Sequence, residues 1–270
     1  MKQTFVTYLG TDSFLPGVLV LEQSYRSYSA INPFLILVNE RVSPWVFDFL
    51  KRYGLNFKEV RGIDNPNQLR TGDREFHSVY GKLNIFNLSC YDRVVYLDAD
   101  VVICENLEDL FQRPHMSAVT AGSLLSRNSS WKELNSGFMV VQPDKDLFEE
   151  MLSKINILPS STKGDQGFLH SFYPKWSSCS ELHLDHKYNV PVQYLDEYIS
   201  TGFCQFEYNQ SEATISNIAV LHYWGPTKPW QAVRCTSGTT RKANLAFQWW
   251  RALYDRLQMS DNERNLIREL

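Results

Sequence analysis

Two carboxylates, Asp98 and Asp100, follow the run Arg93-Val-Val-Tyr-Leu97 with a single residue, Ala99, between them. An almost unbroken apolar run of this length suits a strand covered on both faces of a sheet. If the chain stays extended past Leu97, the period of two sends both carboxylates to the same side. Two hard oxygen ligands there suit a divalent cation such as Mn²⁺ or Mg²⁺, and the carboxyl edge of an open α/β sheet is where ligands bind. The ordinary alternative is a polar turn after a core strand. A second Asp-x-Asp, Asp144-Lys-Asp146, acts as an internal control: it follows Pro143 and precedes the apolar run Leu147–Leu152, which reads as the capped start of a helix.

Four further stretches carry groups that such a site would use. The segment His222-Tyr-Trp-Gly-Pro-Thr-Lys228 leaves a strand through Gly225 and Pro226. An imidazole there would complete a cation site begun by two carboxylates, and Lys228 would reach an anion held by that cation, such as a pyrophosphate. A strand-ending histidine and a solvated lysine explain the same residues. Asn135-Ser136-Gly137 reads as a small turn able to offer an amide and a hydroxyl to a sugar. Gly164-Asp-Gln-Gly167 places Asp165 and Gln166 at a helix start, where a carboxylate ordinarily caps. Lys82 is a cation inside an apolar helical pattern, which puts it either toward the same sheet edge as Asp98 or on a solvated face.

The elements that must position these groups follow a simple order. Thr4–Leu9, Phe34–Val38 and Phe57–Val60 read as strands separated by the helices Pro16–Tyr28 and 44–53, the second opened by Ser43-Pro44 and closed by Gly54. This β-α-β-α-β march predicts a parallel sheet with helices on both faces. The pattern then predicts a helix from about His77 to Leu88 and the Val94–Asp98 strand. Asn106–Phe111 reads as a short helix, Ser117–Ala121 as a strand, Leu124–Glu133 as a mobile polar loop and Gly137–Val141 as another strand. Ile218–His222 is a late strand, Thr240–Leu257 an amphipathic helix, and a short polar helix closes the chain. No repeat or linker interrupts it, so one domain over residues 1–270 is expected.

The composition excludes several classes. The 270 residues are 43% hydrophobic and 14% aromatic, with a net charge of −3, enough apolar material for a folded core and no basic surface for nucleic acid or anionic membrane. Any phosphate must therefore be held locally. No run of about 18 apolar residues would cross a membrane, and the first residues enter a strand pattern directly, so a cytosolic (cytoplasmic) protein is expected. Cys90, Cys104, Cys179, Cys204 and Cys235 are scattered without a Cys-x-x-Cys pair and read as reduced packing residues. The sequons at Asn87, Asn128 and Asn209 carry no weight without a secretory signal.

Taken in order, Thr7–Phe14, Gly-Lys-Leu at 81–83, Tyr-Leu-Asp-Ala-Asp at 96–100, Asn-Ser-Gly at 135–137, Gly-Asp-Gln-Gly at 164–167, Tyr188-Asn189 and His222 through Trp230 resemble the glycogenin-type retaining glycosyltransferases of the GT-A fold, family eight. The resemblance covers nearly the whole chain. It implies a Rossmann-like, mostly parallel central sheet flanked by helices, a UDP-sugar donor and Mn²⁺, with Mg²⁺ as a substitute. By it, Asp98, Asp100 and His222 hold the ion, and Lys228, Gly225 and Lys82 contact the diphosphate and its surroundings, with Ala99 beside them. Tyr8, Thr11 and Phe14 would line the uridine pocket, with Arg74 near a basic position. Asn135, Ser136, Asp165 and Gln166 would meet the donor sugar, and Asp165, Gln166 and Lys228 are the candidates for catalysis. The family's Asp-Gly-Gly-Asp-Gln-Gly is here Thr162-Lys-Gly-Asp-Gln-Gly, so one sugar-facing carboxylate is missing.

The activity this implies is transfer of galactose or glucose from UDP-galactose or UDP-glucose to a hydroxyl of a sugar or glycoprotein acceptor. Compactness and compartment suggest the cytosolic, glycogenin-like α-galactosyltransferases that extend a glycan on a ubiquitin-ligase adaptor, and a homodimer would be compatible with them. One alternative is a self-glucosylating primer, for which Tyr194, Tyr198 and Tyr208 precede His222. The other is a non-catalytic nucleotide-sugar-binding scaffold, against which the intact Asp98, Asp100, His222 and Lys228 argue.

Overall fold

The computed structural model describes residues 1–28, 31–67, 78–122, 124–231 and 240–268. Strands β1 (Gln3–Leu9), β2 (Phe34–Asn39) and β3 (Phe57–Val60) alternate with helices α1 (Leu15–Tyr28) and α2 (Pro44–Arg52), as the apolar runs predict. Beyond them lie β4 (Arg93–Leu97), β5 (Val101–Ile103), β6 (Ser117–Thr120), β7 (Leu134–Val141), α3 (Lys145–Lys154) and α4 (Asp165–Phe172). The last part holds β8 (Val190–Pro191), α5 (Leu195–Ser200), β9 (Gln205–Tyr208), β10 (Ala213–Ser216), β11 (Val220–His222), α6 (Arg241–Asp255) and α7 (Asp261–Arg268).

The main sheet has six strands in the order β3-β2-β1-β4-β7-β6. Pairings from β3 through β4 are parallel, whereas β7 runs antiparallel to both β4 and β6. Chain order steps outward from β1 to β3 and then returns to the other side of β1 at β4. That reversal opens a crevice between the carboxyl ends of β1 and β4, the place where open α/β sheets take ligands. A smaller sheet, β5-β11-β8, stands beside it and carries His222 at its end, and β9 with β10 forms a hairpin.

Alternate residues of each central strand serve opposite faces of the sheet. Phe5, Ile36, Val95, Leu97 and Val140 pack with α1, α2 and α6, while Val6, Leu37, Val94, Tyr96 and Met139 pack with α3, α4 and the segment Val79–Asn87. Burial on both sides is why these strands read as continuous apolar runs. Among the described residues no helix is long and apolar enough to cross a membrane.

Three expectations are corrected. The helix predicted from His77 to Leu88 is a 3-10 helix over Val79–Asn87, and His77 lies outside the described residues. Within this helix the backbone packs closely on β1, since a Cβ on Gly81 would sit 1.9 Å from the Tyr8 hydroxyl, and the Asn84 amide donates to the Gly81 carbonyl at 2.8 Å. Asn135 and Ser136 are not in a turn before β7 but within it, because the strand begins at Leu134. The described part of Leu124–Glu133 is folded rather than a bare polar loop: Asn128 donates to the Leu125 carbonyl at 2.9 Å, Trp131 to that of Asn128 at 2.9 Å, and Gly122 to that of Trp131 at 3.0 Å.

Candidate functional site

The crevice is a cavity of about 570 Å³, within the usual range for small-molecule sites. The end of β1 contributes Tyr8 and, beyond it, Thr11 and Phe14; the end of β4 contributes Asp98, Ala99 and Asp100. Lys82, Asn135, Ser136, Asp165, Gln166, His222, Gly225 and Lys228 complete the lining among the residues singled out from the sequence. Arg74, also singled out, lies outside the described residues. Residues separated by most of the chain thus meet because β4 pairs with both β1 and β7, and β11 lies against β5, which follows β4.

Asp98, Asp100 and His222 offer ligand atoms that all lie within 4.8 Å of one another. The imidazole is oriented from behind: its Nδ1 is 2.7 Å from the Asn189 side-chain oxygen. That oxygen can only accept, so Nδ1 carries the proton and Nε2 turns a lone pair toward the carboxylates, as in many metal-binding histidines. Nε2 lies 3.2 Å from Asp100 Oδ1. Two carboxylate oxygens and an oriented imidazole nitrogen at this spacing fit a divalent cation of the Mn²⁺ type. Gly137 of β7 fits the same picture, since a Cβ there would lie 2.5 Å from the His222 ring and 3.0 Å from Asp98 Oδ2.

Each carboxylate also has an ammonium partner. Lys228 Nζ donates to Asp100 Oδ2 at 2.5 Å and to the Tyr223 carbonyl at 3.2 Å, and it lies 5.7 Å from the centre of the Phe14 ring. Burial alone would oppose ionisation of Asp100, yet the Lys228 ammonium beside it outweighs burial and holds its carboxyl well below the usual range. Lys82 Nζ lies 2.9 Å from Asp98 Oδ1 and 3.0 Å from Asp165 Oδ2. Its burial would favour the neutral amine, but Asp165 and Asp98 together raise its affinity for the proton, so the charge is kept inside the protein. The solvated face considered for Lys82 is therefore absent: the side chain is 8% exposed.

Asp165 does not cap α4. Gly164 holds that position, Asp165 is the first helical residue, and its carboxylate turns to Lys82 and to the Ser136 hydroxyl, which donates at 2.7 Å. Gln166 Oε1 accepts from the Ser136 backbone at 3.2 Å, so α4 and the start of β7 are joined at this edge of the cavity. The control behaves as expected: the Asp144 side chain caps α3 by accepting from Leu147 N at 2.8 Å, and it is not among the cavity-lining residues.

Other members of the site were not given a role from the sequence. Tyr96 donates to Asp98 Oδ1 at 2.6 Å, and its phenol is pushed well above its ordinary range by burial and then by Asp98. The strand period could have found it, because Tyr96 stands two residues before Asp98 on the same face. Asn189, Thr162, Trp131 and Trp224 also line the cavity. Asn189, Thr162 and Trp224 fall within stretches already quoted for the resemblance, without a role of their own there, whereas Trp131 lies in the segment read as a loop.

Comparison with known proteins agrees with this geometry. The chain is 36% identical over 239 residues to inositol phosphorylceramide glucuronosyltransferase 1 of Arabidopsis thaliana, covering 85% of this chain and 42% of that protein. It is 28% identical over 239 residues to glycogenin-1 of Oryctolagus cuniculus, covering 84% and 65% respectively. The chain thus spans about two fifths of the first of these relatives. Among solved structures, the galactosyltransferase LgtC in complex with donor and acceptor sugar analogs superposes with a TM-score of 0.64 at 16% identity, over 98% of this chain and 99% of that one. The glycosyltransferase GlyE of Streptococcus pneumoniae gives 0.59 at 16% identity, over 94% and 63%. These likenesses identify the architecture as the GT-A glycosyltransferase fold. Residues 5–234 match the family model of glycosyl transferase family 8, and the chain belongs to that family.

Proposed function

We propose that this chain is a Mn²⁺-dependent, retaining UDP-sugar transferase that uses the crevice between β1 and β4 for its donor. The observation that carries the reading is the convergence of Asp98, Asp100 and a pre-oriented His222 with Lys228 at the carboxyl edge of the parallel sheet. In this reading Asp98, Asp100 and His222 hold the cation, while Tyr8, Thr11 and Phe14 line the uridine end beside Ala99 and Gly225. Lys228 moves charge from Asp100 toward the diphosphate. A bound divalent ion supplies Lewis-acid stabilisation of the negative charge that develops on the leaving UDP. Asn135, Ser136, Asp165 and Gln166 position the donor sugar, and Lys82 fixes Asp165 in place. The acceptor oxygen bonds to the anomeric carbon as the bond from that carbon to the phosphate oxygen breaks. The electron pair leaves on UDP and the hydroxyl proton passes to solvent.

The donor is read first as UDP-galactose or UDP-glucose. A second reading, UDP-glucuronate, is favoured by two observations: a relative at 36% identity is a glucuronosyltransferase, and the cavity presents the neutral Thr162 where the family resemblance leads one to expect a carboxylate. A carboxylate at that place would repel a uronate. Thr162 instead spends its hydroxyl accepting from Gly167 N at 2.9 Å.

The test has two arms. UDP should raise the melting temperature strongly with Mn²⁺ and little with EDTA, because a ligand bound only by the native state stabilises it; an equal shift in EDTA would remove the metal from the nucleotide site. Acceptor-free hydrolysis of UDP-glucose, UDP-galactose and UDP-glucuronate then ranks the donors, and hydrolysis of none of them would count against the transferase assignment.

A further inference from the structure

Seven tryptophans occur in the chain. Five are buried or half-buried, whereas Trp131 and Trp224 are 40% and 41% exposed, and both line the cavity that holds Asp98 and His222. Large apolar side chains left open beside a polar site mark a surface that a ligand covers. These two indoles come from distant segments, one from the loop before β7 and one from the segment that follows β11.

A chain of contacts holds the two segments together. Arg127, on the Trp131 loop, pairs with Glu197 of α5 and lies 5.2 Å from the centre of the Tyr194 ring. Tyr194 in turn stands edge-on to Trp224, with centroids 6.0 Å apart and planes at 72°. The Tyr198 hydroxyl accepts from the Leu124 backbone at 3.2 Å, fastening the start of the same loop to α5. The two segments are therefore fastened to each other, with the Trp224 indole packed on Tyr194, before any ligand arrives, which lowers the ordering cost of binding.

Ligand chemistry follows from what surrounds them. Near the indoles in sequence, Thr120 at the end of β6, Ala121 and Pro226 line the cavity, none of them ionisable, and Lys228, further along the Trp224 segment, is paired with Asp100. The charged groups of the cavity are engaged with one another in the two clusters around Lys82 and Lys228. A flat π-face is complementary to the weakly positive C–H face of a pyranose, whose hydroxyl edge stays free to face the anomeric carbon. We propose that Trp131 and Trp224 form a stacking platform for an uncharged pyranose ring of the acceptor. The inference rests on the donor reading above and adds to it the class of acceptor: a glycan rather than a protein tyrosine.

The test uses the full chain with Mn²⁺ and whichever UDP-sugar is hydrolysed fastest, and follows UDP release. The probes are the methyl pyranosides of glucose, galactose and xylose, and a tyrosine-containing peptide. At least one pyranoside should accelerate UDP release with saturation. Trp131→Ala and Trp224→Ala should each raise its half-saturating concentration by about tenfold, the size expected for losing an aromatic stacking contact, while Trp224→Tyr should restore most of it. Melting curves with UDP and Mn²⁺ establish that each variant is folded. The platform is overturned if no pyranoside accelerates release, if only the peptide does, or if the alanine variants saturate where the parent does. Absence of acceptor-free hydrolysis in the parent would sink the donor reading itself, a separate result.

Discussion

Asp100 has three partners: its buried carboxylate meets the Lys228 ammonium and the His222 imidazole, and its backbone carbonyl accepts from Tyr223 N. Asp100→Asn removes the anionic ligand and leaves Lys228 buried beside a neutral amide. The expected loss in rate is on the order of 10²–10³, measured as donor turnover. The melting temperature should also fall, because unpairing a buried charge costs about 3 kcal/mol or more. Asp144→Asn, at the cap of α3, should leave turnover alone and cost about 1 kcal/mol at most. Gly137→Ala is a sharper probe, since its methyl would press on the His222 ring and Asp98. It should abolish the Mn²⁺-dependent part of the UDP melting shift while purified protein remains folded. Asp98, Asp100, His222 and Lys228 were legible because their motifs are short and local. Lys82 was not decidable, because its second partner, Asp165, arrives from a helix far along the chain. The exposure of Trp131 and Trp224 is a property of packing that no residue spacing encodes.

Among the elements, strands covered on both faces were legible as apolar runs, and α2 as a segment between Pro44 and Gly54. The 3-10 winding of Val79–Asn87 was not, because its apolar spacing reads the same for either kind of helix. The start of β7 was set too late because Asn135 and Ser136 are polar; Leu134 just before them pairs with Thr120 of β6, and Ser136 N donates to the Gln166 side chain of α4. The join between β6 and β7 also contains a titrating group. His115 Nδ1 accepts from the Gln142 backbone at 3.0 Å, so the folded state holds this ring neutral, and its Nε2 faces the Tyr173 hydroxyl at 3.1 Å. Burial, aided by Arg93, depresses its pKa from 6.5 to about 4. The unfolded chain therefore binds more protons between those two values, and stability must decline as pH falls from about 6.5 toward 4. Replacing His115 by Gln should flatten that part of the profile, measured as melting temperature against pH. An unchanged slope would show that other groups produce it.

Across the molecule, the first and last parts of the chain are fastened to one another. Glu263 of α7 accepts from Arg52 at 2.8 Å and from the Tyr53 hydroxyl at 2.6 Å, which ties the closing helix to the end of α2. Its carboxyl is held below the usual range mainly by the hydrogen bonds from Tyr53 and Ser260. Glu263→Ala should cost about 1–2 kcal/mol and lower the melting temperature by a few degrees. We expect calorimetry of the parent to show one cooperative transition, the signature of the single domain that the unbroken sequence suggests; two resolved transitions would refute it. The β-α-β-α-β march announced the parallel sheet but not the reversal of chain order at β1 that builds the cavity, because it leaves open where β4 joins. The small sheet that delivers His222 was not legible either, because β5 and β8 are too short to leave a pattern.

The arrangement of Lys82 and Lys228 against Asp98, Asp100 and Asp165 has a kinetic consequence. Before the imidazole is counted, two ammonium groups face three carboxylates, so the cavity's own side chains carry one net negative charge and oppose an incoming nucleotide anion. A divalent ion reverses that sign. Substrate addition should therefore be ordered, with the ion entering ahead of the nucleotide and the nucleotide's arrival rate rising with ion concentration until the cavity is filled, then falling with added salt as the attraction is screened.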